Sequence, residues 1–588
     1  MAKRWQILPH DSFQVEQLEA RAKVPPVVAQ LLLGRGISDP VAIRAFLDAK
    51  LTGLHEPELL PGIPSAVDRI FAALESERRI VIYGDYDADG MTATSVLYRC
   101  LQILGADVGY YVPNRLEDGY GLNEAALQTL HERGASLVIS VDCGITSIGP
   151  ATKARELGLE LIVTDHHPLA DSLPTADTIV HPQLPGTDYP FHGLCGAGVA
   201  LKLAWALCQR SSQSKKVTDR LRNFLLTAVG IAAIGTVADV VPLLDENRVL
   251  VRHGLKCLRQ FPVPGLAALM RVTKLDTKPS LSSEDIGFTI APRLNAAGRL
   301  GQAQLAVELL TTDSDERATA LAEYIHELNS SRDSLERSIY LAASKQIKEH
   351  FEPEKDAALV LSGRGWHAGV IGIVASRFAE KYNRPVVVIA LDSIGAKPGT
   401  GSGRSACGLN LQRAFQNCTD FLVSHGGHAA AAGLRIEESQ VDAFRAAFVE
   451  YAATEIKAGD REPLIEIDAE SPLSQLTLQT VQQIEQLAPF GQGNPRPILC
   501  ASDIELAEPP KRMGGGERHL SVSLRQYQTT LRAVAFGRGD WVDELNQLTG
   551  TIDIAYRPVI NEFRGRRTVE LHLVDWRPSR TTATVGVD

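Results

Sequence analysis

The 588-residue chain carries 60 Lys and Arg against 70 Asp and Glu, a formal net charge of −10. This balance excludes a protein that coats duplex nucleic acid non-specifically over its whole surface, so a nucleic-acid partner would need a local basic groove. The length predicts about three or four domains with extensive cores.

The cysteines and the N-terminus indicate the cellular compartment. The eight cysteines form no Cys-x-x-Cys pair and no regular spacing. Neither a zinc knuckle nor a disulfide framework is therefore predicted, and a reducing cytoplasm is expected. The N-terminus is polar within its first turns, and no run of 18 apolar residues is unbroken, so neither export nor a membrane span is predicted.

Short helices and then an α/β alternation open the chain. Residues 1–60 predict helical pieces ending in the Pro-rich LHEPELLPGIP, which we interpret as an N-terminal helical adaptor. Short apolar runs then alternate with helical segments, which indicates a parallel sheet covered by helices on both faces, within a domain at 61–300. The predicted strands are 78–83, 107–112, 136–141 and 159–164, and the predicted helices are 66–77, 91–104, 123–134 and 150–158.

The remaining chain predicts a spacer and two further domains. Residues 301–350 are charged, helically periodic and free of Pro, which favours one long connecting helix, with two ordinary helices as the alternative. The α/β alternation resumes in a second domain at 351–458. Residues 459–580 change to strands broken by Gly-rich turns, which predicts a small all-β barrel of the OB type, and 581–588 form a tail.

Acids and imidazoles follow three strands of the first predicted sheet. They are Asp85, Asp87 and Asp89, then Asp142, then Asp165, His166 and His167. Ligands bind beyond the carboxyl ends of parallel strands, so these side chains are expected at one sheet edge. An Asp after a strand is often only a helix N-cap, and a single His is usually not a ligand. Caps do not require acids at alternate positions, however, and the set suits two divalent cations, with Mn²⁺ more natural than Mg²⁺.

One apolar helix carries a further candidate ligand. Residues 224–240 are almost wholly apolar, and Asp239 is their only charge. An unpaired buried carboxylate costs several kcal/mol, so Asp239 should either face solvent at the helix end or meet a cation. The acids at the sheet edge favour the cation.

Sequence motifs resemble a known enzyme family. The segments GDYDADG, VDCG, DHH and GTVADVVPL are similar, in order and spacing, to the four motifs of the DHH phosphoesterase superfamily. Within it, LHEPELLPG, APRLNAAGRLG, GWHAGVIGIVASR, GSGRS, GGHAAAAG and PFGQGNPRP resemble the RecJ family of bacterial single-strand-specific exonucleases. The resemblance covers nearly the whole chain. It implies a DHH domain with two metal ions, a second α/β domain (DHHA1) that encloses the DNA strand together with it, and an OB domain that narrows the entrance.

The resemblance assigns roles around the metals. It implies that Asp142 bridges both ions, that a bridged water is the nucleophile, and that His167 lies beside the scissile phosphate. Phosphatase relatives carry a His where this chain has Tyr83. It therefore stays open which acids of the first motif bind a metal ion directly, and whether Asp85 is itself a metal ligand or supports another ligand. The expected metal ligands are Asp85, Asp87, Asp89, Asp142, His166 and Asp239, and the expected catalytic residues are Asp142, His166 and His167.

Other motifs are expected to hold the substrate. Arg forks suit phosphate, and Gly-rich turns expose backbone N–H groups to it, although an isolated Arg is usually a solvated charge and Gly often only permits tight packing. The family match favours phosphate clamps, including capture of a 5′-terminal phosphate. The candidates are Arg115, Tyr120, Arg293, Asn295, Arg299, Ser402, Arg404, Gly426, Gly427 and His428. In the barrel, a set of basic and aromatic residues could line a groove that follows the DNA strand, with a solvated loop as the alternative. These residues are Lys511, Arg512, Arg518, Phe563, Arg564, Arg566 and Arg567.

The function implied by the resemblance is a 5′-to-3′ exonuclease that hydrolyses single-stranded DNA by a two-metal mechanism in recombination and repair. Possible partners are a helicase and single-strand-binding protein, and a cytoplasmic monomer is expected. One alternative is a small-substrate DHH hydrolase acting on oligonucleotides, cyclic dinucleotides or pyrophosphate, which would not need the spacer or the barrel. The other is a non-catalytic DNA-binding scaffold of the same fold, which would not keep its acids.

Overall fold

Two compact units make up the computed structural model. One unit spans Leu54–Pro463, and the other joins Ala2–Gly53 to Leu464–Asp588. The residues that the structure describes are 3–115, 118–119, 121–352, 355–456 and 462–579.

The N-terminal segment belongs to the second unit. Its elements are β1 (Arg4–Ile7), α1 (Ser12–Ala22), α2 (Pro26–Gly34) and α3 (Pro40–Asp48). Strand β1 pairs in parallel with Leu464–Ile467, and apolar side chains of α2, such as Leu31 and Leu32, are buried in the same core as the C-terminal β-strands. Residues 2–53 are therefore part of a composite unit rather than the separate helical adaptor expected for 1–60. Local sequence pattern does not indicate a strand partner that lies 460 residues further along the chain.

A parallel sheet organises the first half of the other unit. Its strands and helices are α4 (Ile63–Glu75), β2 (Ile80–Tyr83), α5 (Ala88–Ile103), β3 (Val108–Tyr111), α6 (Glu124–Glu132), β4 (Leu137–Val141), α7 (Ile148–Glu156), β5 (Glu160–Thr164), β6 (Thr178–Val180), α8 (Gly196–Ser212), α9 (Asp219–Ala238), α10 (Asp245–Gln260), α11 (Pro264–Val272), the one-turn α12 (Ser283–Asp285), α13 (Ala291–Arg299) and α14 (Ala303–Thr311). The strand order is β3-β2-β4-β5-β6 with all pairs parallel. Strands β2 and β4 are buried throughout, as expected for a sheet covered on both faces, and the predicted fold class is confirmed.

Helix α9 is a long, apolar helix of this sheet domain. By length and composition it is the one helix among the described residues that could cross a membrane. Most of that stretch is buried inside the fold, and its side chains, including Ile231 and Ile234, belong to the main core cluster. Its apolar character is thus accounted for by core packing.

A buried ion pair joins α8 to α10. Glu246 is fully buried and accepts hydrogen bonds from the Lys202 ammonium, the Tyr189 hydroxyl and, at 2.8 Å, the backbone N–H of His55. Lys202 also donates to the backbone carbonyl of His55. The segment LHEPELLPG is therefore held against the sheet domain through its own backbone.

Lys202→Met is expected to lower the free energy of unfolding of the 54–463 unit by about 3–5 kcal/mol, because it leaves Glu246 buried without its counter-ion. Denaturant unfolding followed by circular dichroism measures the change. The control is Lys215→Met, which removes a Lys that is 72% exposed and only 3.7 Å from Glu56; it should cost less than about 1 kcal/mol. Equal losses in the two variants would contradict the expectation.

Two helices, not one, occupy the predicted spacer. Helix α14 ends at Thr311, and α15 (Asp315–His350) is the long helix, with 36 residues. The break between the two helices lies at Ser314, whose side-chain oxygen accepts a hydrogen bond from the backbone N–H of Arg317 and so caps α15. Ser favours such a break because its side chain competes for backbone hydrogen bonds that would otherwise continue a helix.

The second α/β domain follows α15. Its elements are β7 (Leu359–Arg364), α16 (Ala368–Tyr382), β8 (Val386–Leu391), β9 (Gly399–Arg404), α17 (Leu411–Asn417), β10 (Ser424–Gly427), β11 (Ala431–Ile436) and α18 (Val441–Glu455). The sheet order is β10-β11-β9-β8-β7, with β7 and β8 parallel and the other pairs antiparallel.

The C-terminal part is an all-β barrel. Its elements are β12 (Leu464–Ile467), β13 (Ala469–Glu470), α19 (Leu478–Glu485), β14 (Leu499–Leu506), β15 (Lys511–Met513), β16 (His519–Gln526), β17 (Thr529–Ala535), α20 (Trp541–Asn546), β18 (Ile552–Phe563) and β19 (Arg566–Pro578). Strand β14 pairs with both β18 and β16, which closes five strands into the expected OB-type barrel. The predicted domain bounds themselves stay predictions.

Candidate active site

The carboxyl ends of β2, β4 and β5 place the predicted ligands together. Asp142 and Asp165 directly follow β4 and β5, and Asp85 comes two residues after the end of β2. Three overlapping groups of side chains have potential ligand atoms within 4.8 Å of one another. The groups are Asp142, His166 and His167; Asp89, His166 and Asp239; and Asp85, Asp87 and Asp142.

Asp87 is both a helix cap and a member of this cluster. It is the N-cap of α5, and its Oδ1 accepts from the backbone N–H groups of Asp89 and Gly90 at 2.9 and 3.0 Å. These bonds fix the carboxylate in place. The same side chain therefore caps a helix and lies within the cluster of predicted ligands.

The N-terminus of α8 holds Asp89. Its two carboxylate oxygens accept from the backbone N–H groups of Gly196 and Ala197 at 2.6 and 2.9 Å, where the positive end of the helix dipole favours an anion. Gly196 also lies against Asp142, because a Cβ on it would come 2.5 Å from the Asp142 Oδ1. Gly235 of α9 similarly makes room for Asp89. The sequence analysis missed Gly196 and Gly235, although the closely spaced Gly196 and Gly198 were a signal.

His166 lies at the centre of the acids. Its Nε2 is 3.1 Å from Asp142 Oδ1, 3.6 Å from Asp239 Oδ2 and 3.8 Å from Asp89 Oδ2. Among the residues that the structure describes, this buried Nε2 makes no hydrogen bond, and neither does the buried Oδ1 of Asp85. Burial lowers the pKa of His166, which favours the neutral imidazole that binds metals.

The acids of the cluster are costly to ionise without a counter-charge. Burial first, and neighbouring carboxylates second, raise the pKa of Asp239 to about 8 and the pKa values of Asp85, Asp87 and Asp142 above the usual range. A divalent cation offsets both effects. Carboxylates that surround a buried, neutral imidazole fit divalent metal ions.

Asp165, which the sequence analysis placed at this sheet edge without assigning it a role, orients the histidines. Its Oδ1 contacts the His167 Nδ1 at 2.7 Å and accepts from the backbone N–H of His166 at 2.7 Å and of His167 at 3.1 Å. Its Oδ2 accepts from the backbone N–H of Ile145 at 2.9 Å. Burial alone would lower the pKa of His167, but the hydrogen bond and the charge of Asp165 raise it to about 9.

Tyr83 has a structural role. Its hydroxyl donates to the backbone carbonyl of Gly121 at 3.0 Å and lies 3.4 Å from the Asn123 amide nitrogen. The ring is fully buried beside Tyr111. Direct metal binding by Asp85, which lies two residues further on within the cluster, stays a prediction.

Arg299 and Arg404, two of the predicted phosphate-binding arginines, lie near the start of α16, because the Arg299 Nη1 donates to the Gly369 carbonyl at 3.1 Å and a Cβ on Gly372 would come 3.0 Å from the Arg404 Nη2. Burial first, and then the charges of Arg115, Arg332 and Arg404, lower the pKa of Arg299 to about 10. A Cβ on the neighbouring Gly298 would come 1.9 Å from the Tyr86 carbonyl oxygen, so the end of α13 lies beside the first motif. Arg332 is paired with Glu336 and Asp333, and anion binding by these guanidinium groups stays a prediction. The sequence analysis missed Arg332 of α15.

Ser402 and Arg404 adjoin the start of α16. The Arg404 Nη1 donates to the Ser402 Oγ at 2.9 Å. A Cβ on Gly372 of α16 would come 3.0 Å from both side chains, so this glycine permits their close approach. We name the guanidinium groups of Arg115, Arg299, Arg332 and Arg404 the arginine cluster.

The other predicted substrate residues have varied surroundings. Asn295 accepts from the backbone N–H of Ala88 at 2.8 Å and so ties α13 to the first motif. Arg293 donates to the Thr289 carbonyl and to His326, and is engaged within the fold. Three of the predicted substrate residues, on and after β10, are exposed: Gly426, Gly427 and His428. Tyr120 lies outside the described part of the chain.

The basic residues of the barrel are partly paired. Arg512 bonds Asp543 and the Gly539 carbonyl, and Arg518 bonds the Gly515 carbonyl. Phe563 is 66% exposed at the β18–β19 turn, with the Arg564 guanidinium 5.1 Å from its ring centroid. A strand-tracking groove in this unit stays a prediction.

Comparison with known proteins gives three family matches. The model for the N-terminal domain of the DHH family matches residues 79–232, the DHHA1 domain model matches 355–454, and the RecJ OB domain model matches 467–575. The single-stranded-DNA-specific exonuclease RecJ of Bacillus subtilis (strain 168) is 36% identical over 97% of this chain and 70% of the relative. The protein of the same name from Escherichia coli (strain K12) is 34% identical over 95% of this chain and 96% of the relative.

This chain belongs to the RecJ family. A crystal structure of RecJ in complex with Mn²⁺ from Thermus thermophilus matches with a TM-score of 0.82 and 32% identity, covering 98% of this chain and 79% of that chain. A crystal structure titled exonuclease RecJ bound to manganese matches with a TM-score of 0.59 and 37% identity, covering 68% of this chain and 98% of that chain. RecJ relatives thus hold divalent metal ions, and the cluster described above has the donor set for them.

Proposed function

We propose that this protein is a 5′-to-3′ exonuclease that hydrolyses single-stranded DNA in recombination and repair, with two divalent ions and a preference for Mn²⁺. The observation that carries the proposal is the buried His166 Nε2, which has three carboxylate oxygens within 4 Å and no hydrogen bond among the described residues. Such a centre suits water activation at a phosphodiester.

The cluster divides the work among its side chains. Bound ions would supply charge neutralisation and a lowered pKa for attacking water. The residues that would hold them are Asp85, Asp87, Asp89, Asp142, His166 and Asp239. His167 contacts Asp165 through Nδ1, and its Nε2, on the other side of the ring, would hold or protonate an oxygen of the scissile phosphate.

The arginine cluster gives the reaction its direction. A terminal phosphate carries more charge than an internal phosphodiester, so several guanidinium groups next to the metal cluster favour a 5′-phosphorylated end. Binding of that end, with Ser402 beside Arg404, would set the first phosphodiester against His167 and the metal ligands.

Arg404→Ala is expected to raise KM for a 5′-phosphorylated oligonucleotide about tenfold, because it removes a charge-assisted hydrogen bond. KM for the 5′-hydroxyl oligonucleotide should change little. Steady-state digestion of both substrates measures the difference. Arg364→Ala, which removes an exposed Arg of the same domain paired with Glu438, is the control and should leave both values unchanged. Equal effects of Arg404→Ala on the two substrates would contradict the role.

One digestion experiment tests the whole proposal. Single strands labelled at the 5′ or 3′ end, duplexes and dinucleotides are incubated with the protein in Mn²⁺ or Mg²⁺. The expected result is early release of 5′-terminal mononucleotides from single strands only. A strong preference for dinucleotides would indicate a small-substrate hydrolase, and no hydrolysis would indicate a scaffold. A cytoplasmic monomer that works with a helicase and single-strand-binding protein completes the proposal.

A further inference from the structure

A buried histidine that belongs to none of the assigned motifs contacts the loop of the metal site. His181 directly follows β6 and is fully buried. Its Nε2 lies 2.9 Å from the backbone carbonyl of His167, and its Nδ1 lies 3.0 Å from the backbone nitrogen of Gln183. Both ring nitrogens therefore have partners on the backbone.

These two partners fix the tautomer of His181. A backbone N–H is only a donor, so Nδ1 must be the acceptor for Gln183. Nε2 then carries the proton and donates it to the His167 carbonyl. The imidazole acts as a rigid bridge between the chain after β6 and the chain after β5.

This bridge completes the restraint on His167. Asp165 contacts the His167 side chain at Nδ1 and accepts from its backbone N–H, and His181 holds its backbone carbonyl. Without the His181 bond, the peptide group that contains the His167 carbonyl could turn, while Asp165 still contacted the His167 ring. We propose that His181 is a positioning residue, which sets the His167 imidazole against the scissile phosphate; this inference depends on the function proposed above.

The test compares substitutions that keep or remove the donor. H181L removes both hydrogen bonds at similar volume and should lower kcat on single-stranded DNA about 10- to 100-fold, as loss of a supporting hydrogen bond does at comparable sites. KM for the oligonucleotide and the Mn²⁺ Kd from calorimetry should change less than about threefold, because the bond acts on His167 and not on the metal acids. H181Q and H181N carry an amide that can donate, and the better of the two should retain kcat within about fivefold of wild type.

A double-mutant cycle separates positioning from general support of the fold. If His181 acts through His167, H167A/H181L should have the same kcat as H167A alone. A further loss in the double variant, an equal loss of Mn²⁺ affinity, or a wild-type kcat in H181L would each overturn the inference. Wild-type protein that fails to hydrolyse single strands would instead refute the proposed function, so the two failures are distinguishable.

Discussion

Asp142→Asn is expected to lower kcat on single-stranded DNA by about 10³-fold or more. Asp142 takes part in two of the three ligand groups and lies 3.1 Å from His166 Nε2, so it is the acid best placed to bind divalent metal ions. An amide keeps the shape of the carboxylate but removes the negative charge that binds the cations.

Asn is a cleaner replacement for Asp142 than Ala. The backbone of Asp142 has φ +63°, in the left-handed region that Asn tolerates well and Ala does not. Loss of activity in the Asn variant can therefore be assigned to the carboxylate rather than to the backbone. Calorimetric titration should show Mn²⁺ binding weakened in parallel with kcat.

Asp107→Asn is the matched control for this result. Asp107 is another Asp beside a strand of the same sheet, but its side chain is 58% exposed and forms a surface ion pair with Arg79. Its substitution should leave both kcat and Mn²⁺ binding unchanged. Full activity of Asp142→Asn in saturating Mn²⁺ would refute the proposed role of Asp142 as a metal ligand.

The sequence predicts well that these acids and imidazoles lie together, because most of them follow strands of one sheet. Alternation of apolar strands and helices implies a parallel sheet, and a parallel sheet brings residues such as Asp85, Asp142 and His166 to one edge. Asp239 was predicted for a different reason, since a charge in an apolar helix needs a partner. Both inferences depend on local pattern and known geometry.

What the sequence does not predict is contact between distant segments. The bond from Gly196 to Asp89 joins residues 107 positions apart, and the pairing of β1 with β12 joins residues 460 positions apart. His181 also has no periodicity or spacing to mark it. Such contacts depend on how whole elements pack, which local propensity does not determine.

Neighbouring arginines show a second limit of sequence reasoning. Arg293 and Arg299 lie in one motif, and both were expected to bind phosphate. In the structure Arg293 bonds Thr289 and His326, whereas Arg299 donates to the Gly369 carbonyl at the start of α16, the helix that Ser402 and Arg404 also adjoin. Six residues of helix place the two side chains in different surroundings, so a motif identifies candidates without separating their roles.

Gly196→Ala is expected to lower kcat by about 10²-fold, since misplacement of catalytic groups by about 1 Å has effects of this size. The new Cβ would come 2.5 Å from the Asp142 Oδ1 and 2.6 Å from the Asp142 Cβ. These atoms belong to a side chain fixed in the metal cluster, so α8 must move away. Its first N–H groups would then retreat from Asp89, and Mn²⁺ affinity should fall together with kcat.

Gly198→Ala provides a control on the same helix. The atom nearest to its Cβ would be the Leu194 Cδ2, at 3.2 Å, and a terminal methyl group can shift by a few tenths of an ångström. Both variants replace a buried glycine of α8 with the same residue, so changes in helix propensity should be similar. If hydrolysis and Mn²⁺ binding fall only in Gly196→Ala while both variants keep the wild-type thermal midpoint, the loss arises from displaced ligands. Equal behaviour of the two variants would show that the start of α8 does not set the positions of Asp89 and Asp142.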